Sequence, residues 1–124
     1  MEQAILGVIG GSGVYDIETL QDVQEVQIKT PFGDPSDAIV VGTLSGTRAA
    51  FLPRHGRGHR IMPGEINSRA NIFALKSLGV QYIVSISACG SMRKDFAPRH
   101  VVVPDQIFDR TKACLLYTSD AADE

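Results

Sequence analysis

The chain has 124 residues, of which 44% are hydrophobic and 21% are charged, and its formal net charge is −2. This length fits a single domain, and the composition is too apolar for a disordered chain. The slightly acidic balance argues against a dedicated nucleic-acid-binding protein, because such proteins are usually basic. No segment approaches the roughly 20 consecutive apolar residues of a membrane helix, and no basic region of a signal peptide precedes the first apolar run. We therefore expect a cytoplasmic protein that binds neither nucleic acid nor membranes.

The hydrophobic pattern predicts four strands in the first half of the chain. A buried strand over Ala4–Ile9 ends at the glycine-rich run Gly10–Gly13, and a half-exposed strand covers Val23–Lys29. The next two strands, Ala38–Leu44 and Thr47–Leu52, flank a Ser-Gly pair, which predicts a hairpin.

The second half of the chain predicts a helix between strands. The helix covers Ile66–Leu78 and buries one face, whose members are Ile66, Ala70, Phe73, Ala74 and Leu78. A β-branched apolar run predicts a buried strand over Tyr82–Ser87, and Val101–Val103 predicts a short final strand. The strand, helix and strand from Thr47 to Ser87 form a βαβ unit, which favours a parallel sheet covered by helices. Ligands of such sheets bind beyond the carboxyl ends of the strands.

Three loops begin where predicted strands end, and the first is the run Gly10–Gly13. Its backbone N–H groups are uncrowded by side chains and suit an anion, with the Ser12 hydroxyl as a further donor. A plain turn is the alternative interpretation. A dinucleotide fingerprint, a P-loop and a nucleophile elbow all require residues that this run lacks.

The second loop, Arg54–Arg60, carries three arginines and two histidines within seven residues. These cations repel one another unless an anion, an acidic partner or solvent compensates them, and arginine suits the planar recognition of phosphate. We expect an anion site here. A zinc site at His55 and His59 is disfavoured, because glycines interrupt the loop and arginines surround it.

The third loop, Ser87–Ser91, consists of small residues that let a ligand approach the backbone closely. Cys89 is interpreted as a buried structural cysteine, because no base partner accompanies it in the sequence. With Cys114 it forms no CxxC pair, so the sequence predicts neither a zinc ribbon nor a disulfide scaffold.

Six short motifs follow one another along the chain: Gly-Val-Ile-Gly-Gly-Ser-Gly (7–13), Thr-Pro-Phe-Gly-Asp-Pro-Ser-Asp (30–37), Leu-Pro-Arg-His-Gly-Arg-Gly-His-Arg (52–60), Arg-Ala-Asn-Ile-Phe-Ala-Leu-Lys (69–76), Ser-Ala-Cys-Gly-Ser (87–91) and Pro-Asp-Gln (104–106). From Ile5 to Lys112 the chain resembles the N-terminal part of the methylthioadenosine phosphorylases of the trimeric purine nucleoside phosphorylase family. The resemblance implies an α/β fold, nucleoside phosphorylase-like and truncated, with a mixed central sheet flanked by helices. Residues 1–113 would be the N-terminal part of a single domain.

The resemblance also implies a reaction. Phosphate and 5′-methylthioadenosine would give adenine and 5-methylthioribose 1-phosphate, a pentosyl transfer in purine and methionine salvage that needs no metal and no organic cofactor. Inorganic phosphate would be a co-substrate, and the complete protein would be a homotrimer or a dimer of trimers. A 6-oxopurine nucleoside or methylthioinosine phosphorylase and a non-catalytic phosphate- or nucleotide-binding module remain alternatives. A nucleosidase that uses water is disfavoured, because it needs no phosphate clamp such as Arg54 and His55.

Site residues are carried over from the family position by position. The matches imply phosphate contacts from five positions, which are Ser12, Arg54, His55, Ser87 and Ala88. His59 and Asn67 match nearby supporting positions. No catalytic residue is assignable, because the family's purine-protonating aspartate is expected in a later part of the protein.

The last eleven residues, Cys114–Glu124, resemble the translation of a transposase-type sequencing adapter and are excluded from the prediction of the fold. On this interpretation the natural protein continues beyond Ala113, and the chain as given is inactive and poorly stable. Sequencing the coding DNA across the Ala113 codon tests this.

Overall fold

The structure, a computed structural model, describes residues 3–14 and 17–110. The chain divides into two compact units, Met1–Ala88 and Cys89–Glu124. The expected domain boundary at residue 113 and the adapter-like segment 114–124 lie outside the described residues. Within those residues, none of the helical segments has the length and apolarity needed to cross a membrane.

The first unit contains a mixed sheet of five strands in the order β2-β3-β4-β1-β5. Strand β1 runs parallel to both of its neighbours, β4 and β5, while β3 runs antiparallel to β2 and β4. This arrangement confirms the predicted hairpin, the parallel βαβ unit and the mixed α/β sheet. The strands are Leu6–Gly10 (β1), Gln21–Val26 (β2), Ile39–Leu44 (β3), Thr47–Pro53 (β4) and Tyr82–Ser85 (β5).

One α-helix, α1 over Ser68–Ser77, connects β4 to β5 and covers one face of the sheet. Asn67 caps its first turn, because its side-chain oxygen accepts a hydrogen bond from the Ala70 N–H. Single 3-10 turns lie at Ser12–Val14 and Pro63–Glu65. The core between helix and sheet is apolar and fully buried, and includes Ile39, Val41, Ala50, Leu52, Ala74, Leu75 and Leu78.

The expectation that Phe73 belongs to the buried face of the helix is wrong. Phe73 is 39% exposed and packs edge-to-face on Phe32, with 5.9 Å between the ring centroids. A helix turns about 100° per residue, so the buried arc that contains Ala70 and Ala74 extends toward Leu75 and not toward Phe73. Leu75, which is fully buried, occupies the core position that was assigned to the phenylalanine.

Strand β5 forms where expected, but the prediction that it is buried is wrong. Its apolar side chains are largely in solvent, with 66% of Tyr82 and 47% of Val84 exposed. The reason is topological, because β5 lies at the edge of the sheet and, among the strands that the structure describes, pairs with β1 alone. The predicted strand over Val101–Val103, in the second unit, is also wrong, since these residues are exposed and pair with no strand of the described chain.

We predict that the 124-residue chain expressed alone self-associates through β5, because an exposed apolar edge strand recruits other chains. Val84→Lys should reduce this association, because a charge on an edge strand opposes pairing. The matched control is Gln24→Lys on β2, the opposite and already polar edge, which should leave the association unchanged. Light scattering and binding of a hydrophobic dye measure the difference. A monomeric parent chain, or equal effects of both variants, would contradict the prediction.

Candidate functional site

The three loops singled out in the sequence begin side by side at one edge of the sheet. Strands β4, β1 and β5 are adjacent and parallel, and Gly10 at the end of β1 pairs with Pro53 at the end of β4. On the other side of β1, the Ile86 N–H donates to the Ile9 carbonyl over 2.8 Å. The loops that follow Gly10, Pro53 and Ile86 therefore start from neighbouring points, as expected for the carboxyl edge of a parallel sheet.

Arg54, the first residue after β4, connects all three strand ends. Its backbone N–H donates to the Gly10 carbonyl over 3.1 Å, which attaches it to the end of β1. Its Nη1 donates to the Ile86 carbonyl over 2.8 Å, which attaches it to the end of β5. Its Nη2 lies beside Gly11, where an added Cβ would be 3.9 Å away. Arg54 is half-buried as a residue, and its guanidinium thus lies at the entrance of the glycine-rich loop.

His55 orients this guanidinium. Its Nδ1 lies 3.0 Å from the Ile61 carbonyl, and because a carbonyl only accepts, Nδ1 carries the hydrogen. In the neutral ring Nε2 is then an acceptor, and it receives a hydrogen bond from Arg54 Nε over 3.3 Å. The imidazole and the Ile86 carbonyl therefore hold the guanidinium at two different nitrogens.

The basic loop is closed on itself by hydrogen bonds at its base, although Arg57–Arg60 are exposed. The Ile61 N–H donates to the His55 carbonyl over 3.0 Å, so residues 55 and 61 are joined through both ring and backbone. Gly56 and Gly58 have φ of +69° and +76°, a conformation that glycine adopts without strain. The turn stacks the His59 ring on the His55 ring with 5.0 Å between centroids. His59 therefore supports His55 directly.

The positive charges of the loop are compensated unequally. Arg57 pairs with Glu25, and Arg60 Nη2 lies 3.5 Å from Asp37 Oδ2. No carboxylate within residues 3–14 and 17–110 forms an ion pair with Arg54. Two of the three arginines thus have an internal acidic partner, while the hydrogen bonds of the Arg54 guanidinium to the described part of the chain go to a carbonyl and an imidazole. The sequence did not predict either acidic partner, Glu25 or Asp37, although Asp37 is the last residue of the motif over residues 30–37.

The Asp37 carboxylate is largely shielded from water, because only 17% of its side chain is exposed. That burial raises the pKa of the Asp37 carboxyl. Hydrogen bonds from the Arg57 and Ala38 N–H groups, and the nearby charges of Arg60 and Arg57, lower this pKa by more. The net pKa of Asp37 lies below its ordinary value, so the carboxylate stays ionised at neutral pH.

The remaining predicted residues occupy the same edge or its surroundings. Ser12 lies in the turn after β1, and Ser87 and Ala88 follow β5 and are exposed. Asn67 lies further along the chain, where its Nδ2 donates to the Phe32 carbonyl over 2.7 Å. Its hydrogen bonds join the first turn of the helix to Phe32, so its observed role is to fix the start of α1.

The interpretation of Cys89 as a buried cysteine is wrong, because Cys89 is exposed. The whole segment from Ile86 to His100 is exposed. Within the described residues, no three side chains of His, Cys, Asp or Glu come together in a group that could hold a metal ion.

Comparison with known proteins decides the family. Residues 5–122 match the model of the Phosphorylase superfamily. The chain belongs to this superfamily. It is 61% identical over 112 residues to the S-methyl-5′-thioadenosine phosphorylase of Chloroflexus aurantiacus, covering 90% of this chain and 39% of the relative. It is 62% identical to the enzyme of that name from Gloeobacter violaceus, covering 89% of this chain and 37% of the relative.

Solved structures agree with the family and with the nucleoside phosphorylase-like fold. A methylthioadenosine phosphorylase from an antarctic soil metagenomic library superposes with a TM-score of 0.66 at 54% identity, covering 68% of this chain and 30% of that one. Methylthioadenosine phosphorylase from Schistosoma mansoni, in complex with adenine, gives a TM-score of 0.69 at 46% identity, covering 77% and 33%. This superfamily member therefore spans about two fifths of the length of its curated relatives.

We predict that Gly10→Ala distorts the turn after β1. A Cβ at Gly10 would overlap Val14 Cγ2 and lie 3.0 Å from Val14 Cβ. Such overpacking costs about 1–3 kcal/mol. The double variant Gly10→Ala with Val14→Ala removes the overlapping methyl groups and should recover part of the loss beyond the sum of the single changes. Thermal unfolding of the full-length protein measures this; purely additive effects would contradict the clash.

We also predict an acid-dependent contribution from Asp37. Because its folded pKa is depressed, its stabilisation is complete above the unfolded value of about 3.9 and is lost as pH falls below that value. Asp37→Asn should therefore lower stability at neutral pH and show a smaller further loss in acid than the parent protein. Asp34→Asn, at an exposed carboxylate 4.0 Å from Lys29, is the control and should behave like the parent. Circular dichroism during acid titration distinguishes the variants, and parallel curves would contradict the prediction.

Proposed function

We propose that this chain is the N-terminal part of an enzyme that phosphorolyses 5′-methylthioadenosine to adenine and 5-methylthioribose 1-phosphate. The observation that carries the proposal is Arg54, a half-buried residue at the shared edge of three parallel strands, whose guanidinium forms an ion pair with no carboxylate of residues 3–14 and 17–110. Relatives that match this chain at 61% and 62% identity bear the name of that enzyme. The proposal is therefore supported by the geometry around Arg54 and by sequence similarity to these relatives.

In the proposed complex, phosphate binds against Arg54. The guanidinium uses two of its nitrogens for His55 and the Ile86 carbonyl, and its Nη2 is aimed at the glycine-rich loop. Phosphate placed there accepts hydrogen bonds from Arg54 Nη2 and from the backbone N–H groups of that loop. The Ser12 and Ser87 hydroxyls and the Ala88 N–H complete the set of donors.

His55 has a specific part in this complex. Since its Nδ1 hydrogen is directed to the Ile61 carbonyl, its Nε2 accepts rather than donates in the neutral ring. A phosphate that carries one proton can donate that O–H to Nε2, in place of the Arg54 Nε contact. His55 then fixes the rotation of the phosphate, and the stacked His59 ring fixes His55.

The chemical step needs no covalent nucleophile from the protein. A phosphate oxygen attacks C1′ of the ribosyl group while the bond from C1′ to the purine nitrogen breaks and its electron pair leaves with the base. Positive charge develops on the ribosyl ring, and the bound phosphate stabilises it electrostatically. The work of this part of the protein is to hold the phosphate in line with C1′. The proton or hydrogen bond at purine N7 comes from residues outside this chain.

The rest of the proposal extends the resemblance to the complete protein. It acts in the cytoplasm as a homotrimer or dimer of trimers, on a nucleoside and phosphate, with no metal or organic cofactor and with neither nucleic acid nor membrane as a partner. The choice between adenine and 6-oxopurine nucleosides depends on residues that follow this chain. This chain alone lacks the purine site and is inactive.

The deciding experiment is purine release by the full-length enzyme, with and without phosphate. We predict that release from 5′-methylthioadenosine requires phosphate, and that Arg54→Ala raises the KM for phosphate by about 10- to 100-fold, as expected for loss of a charged hydrogen-bonding group. Arg57→Ala is the matched control in the same loop. It removes the same charge from a side chain that already pairs with Glu25, so the KM should change less than about threefold.

Each alternative gives a different outcome. Equal release without phosphate would indicate a nucleosidase, and tight nucleoside binding without turnover would indicate a binding module. Equal effects of the Arg54 and Arg57 variants would show that general charge, rather than the Arg54 geometry, attracts the phosphate.

A further inference from the structure

The motif Thr30–Asp37 has no role in the proposed reaction, yet it contacts the basic loop. We propose that Asp37 is a positioning residue, which fixes the Arg54–Arg60 loop in the conformation that presents Arg54 and His55 to phosphate. This inference rests on the proposed function and assigns a residue that contacts no substrate.

Asp37 contacts the exposed part of the basic loop, Arg57–Arg60, at two points. Its Oδ2 accepts a hydrogen bond from the Arg57 backbone N–H over 2.8 Å and lies 3.5 Å from Arg60 Nη2. One carboxylate oxygen therefore fixes the backbone on one side of Gly58 and the side chain on the other. Because only 17% of the Asp37 side chain is exposed, water competes weakly for these contacts.

Asp37 is itself anchored to helix α1 through its neighbour. The Ser36 N–H donates to Asn71 Oδ1 over 2.8 Å, and Asn71 Nδ2 donates to Ser36 Oγ over 3.0 Å. Both residues are 2% exposed. A buried polar pair with reciprocal hydrogen bonds is costly to break, because separation would leave unpaired polar groups in the interior. Ser36 and Asp37 are thus a rigid extension of the helix.

The loop also packs directly on this anchor. Arg60 Nη2 donates to the Ser36 carbonyl over 2.7 Å, and a Cβ added to Gly56 would lie only 3.1 Å from the same oxygen. From Arg60 the constraint continues to Ile61, which is joined to His55 through both backbone and ring. His55 in turn holds Arg54 Nε. An unbroken series of contacts therefore runs from α1 through Asp37 to the guanidinium.

An electrostatic role and a positioning role for Asp37 predict opposite effects of its removal on phosphate binding. As a negative charge near a phosphate site, it would on its own weaken phosphate binding, so its removal would strengthen binding. As the group that fixes the loop, its removal would weaken binding. Arg60 provides the complementary case, since removal of its positive charge weakens binding on either account. Two substitutions with opposite changes in charge separate electrostatics from positioning.

The experiment compares Asp37→Asn and Arg60→Gln in the full-length enzyme, with Asp34→Asn as the control. Asp34→Asn makes the same chemical change three residues away, at a carboxylate that is 80% exposed. We expect both loop variants to raise the KM for phosphate by about five- to tenfold, the size of one or two hydrogen bonds. The KM for the nucleoside, and kcat at saturating phosphate, should stay within about twofold of the parent enzyme, as should every constant of the control.

Several results would overturn the inference. A lower KM for phosphate in Asp37→Asn would show that its charge acts directly on phosphate. A reduced kcat with an unchanged KM would show that Asp37 supports only folding, and a similar effect of Asp34→Asn would show a general surface effect. If Asp37→Asn does not fold, an unchanged KM in Arg60→Gln refutes the positioning role. Phosphate-independent purine release by the parent enzyme would instead refute the proposed function, so the two failures are distinguishable.

Discussion

The attachment of Arg54 to three strand ends is the constraint on which the site depends. Its backbone continues the pairing of β4 with β1, and its guanidinium bonds to the carbonyl that follows β5. These contacts exist only because β4, β1 and β5 are parallel neighbours in one register. A slip of one residue would turn every side chain of β4 to the opposite face of the sheet. The apolar alternation that buries Leu52 and Phe51 on opposite faces therefore also determines where Arg54 lies.

The same constraint explains why the cations of one loop have different partners. Arg57 and Arg60 point to the side where β2 and the segment before β3 supply Glu25 and Asp37. The Arg54 side chain extends across the strand ends, where it lies beside the Ile86 carbonyl and Gly11. A half-buried cation held by neutral acceptors keeps much of its charge uncompensated, and an anion at this place restores the balance. The seven-residue cluster thus contains two structural ion pairs and, at Arg54, the cation to which phosphate binds in the proposed complex.

The sequence pattern predicted the elements that depend on local periodicity and on simple rules of topology. The hairpin, the helix and the parallel β4–α1–β5 unit followed from periodicity, whereas the sequence alone did not establish that the three loops meet. The exposure of Tyr82 and Val84 did not, because the same β-branched run fits a buried central strand and an edge strand equally. Val101–Val103 has strand propensity but finds no partner strand within the described residues.

The partners in the site were beyond sequence reasoning for a related reason. Asp37 lies 20 residues before Arg57 along the chain, and Ser36 lies 35 before Asn71. Contacts at such separations depend on how α1 and the hairpin pack, and no spacing rule reports them. Asn71 gave a weak signal, since a polar residue on the buried arc of a helix requires a specific partner. The buried arc of α1 is centred toward Leu75 and not toward Phe73, and this places Asn71 within it.

The two sides of the site are supported very differently. On the β4 side, a buried polar pair on α1, a carboxylate and a closed loop fix Arg54 and His55 within this chain. On the β5 side, Ser87 and Ala88 follow the strand with the most exposed apolar surface. Local stability decreases where few apolar contacts are buried, so β5 is the part of the sheet that gains most from additional protein. The two relatives extend well beyond the matched region, which covers 39% and 37% of their length. The least covered strand is thus the strand that leads into Ser87 and Ala88, so protein packed on β5 would also approach the third loop.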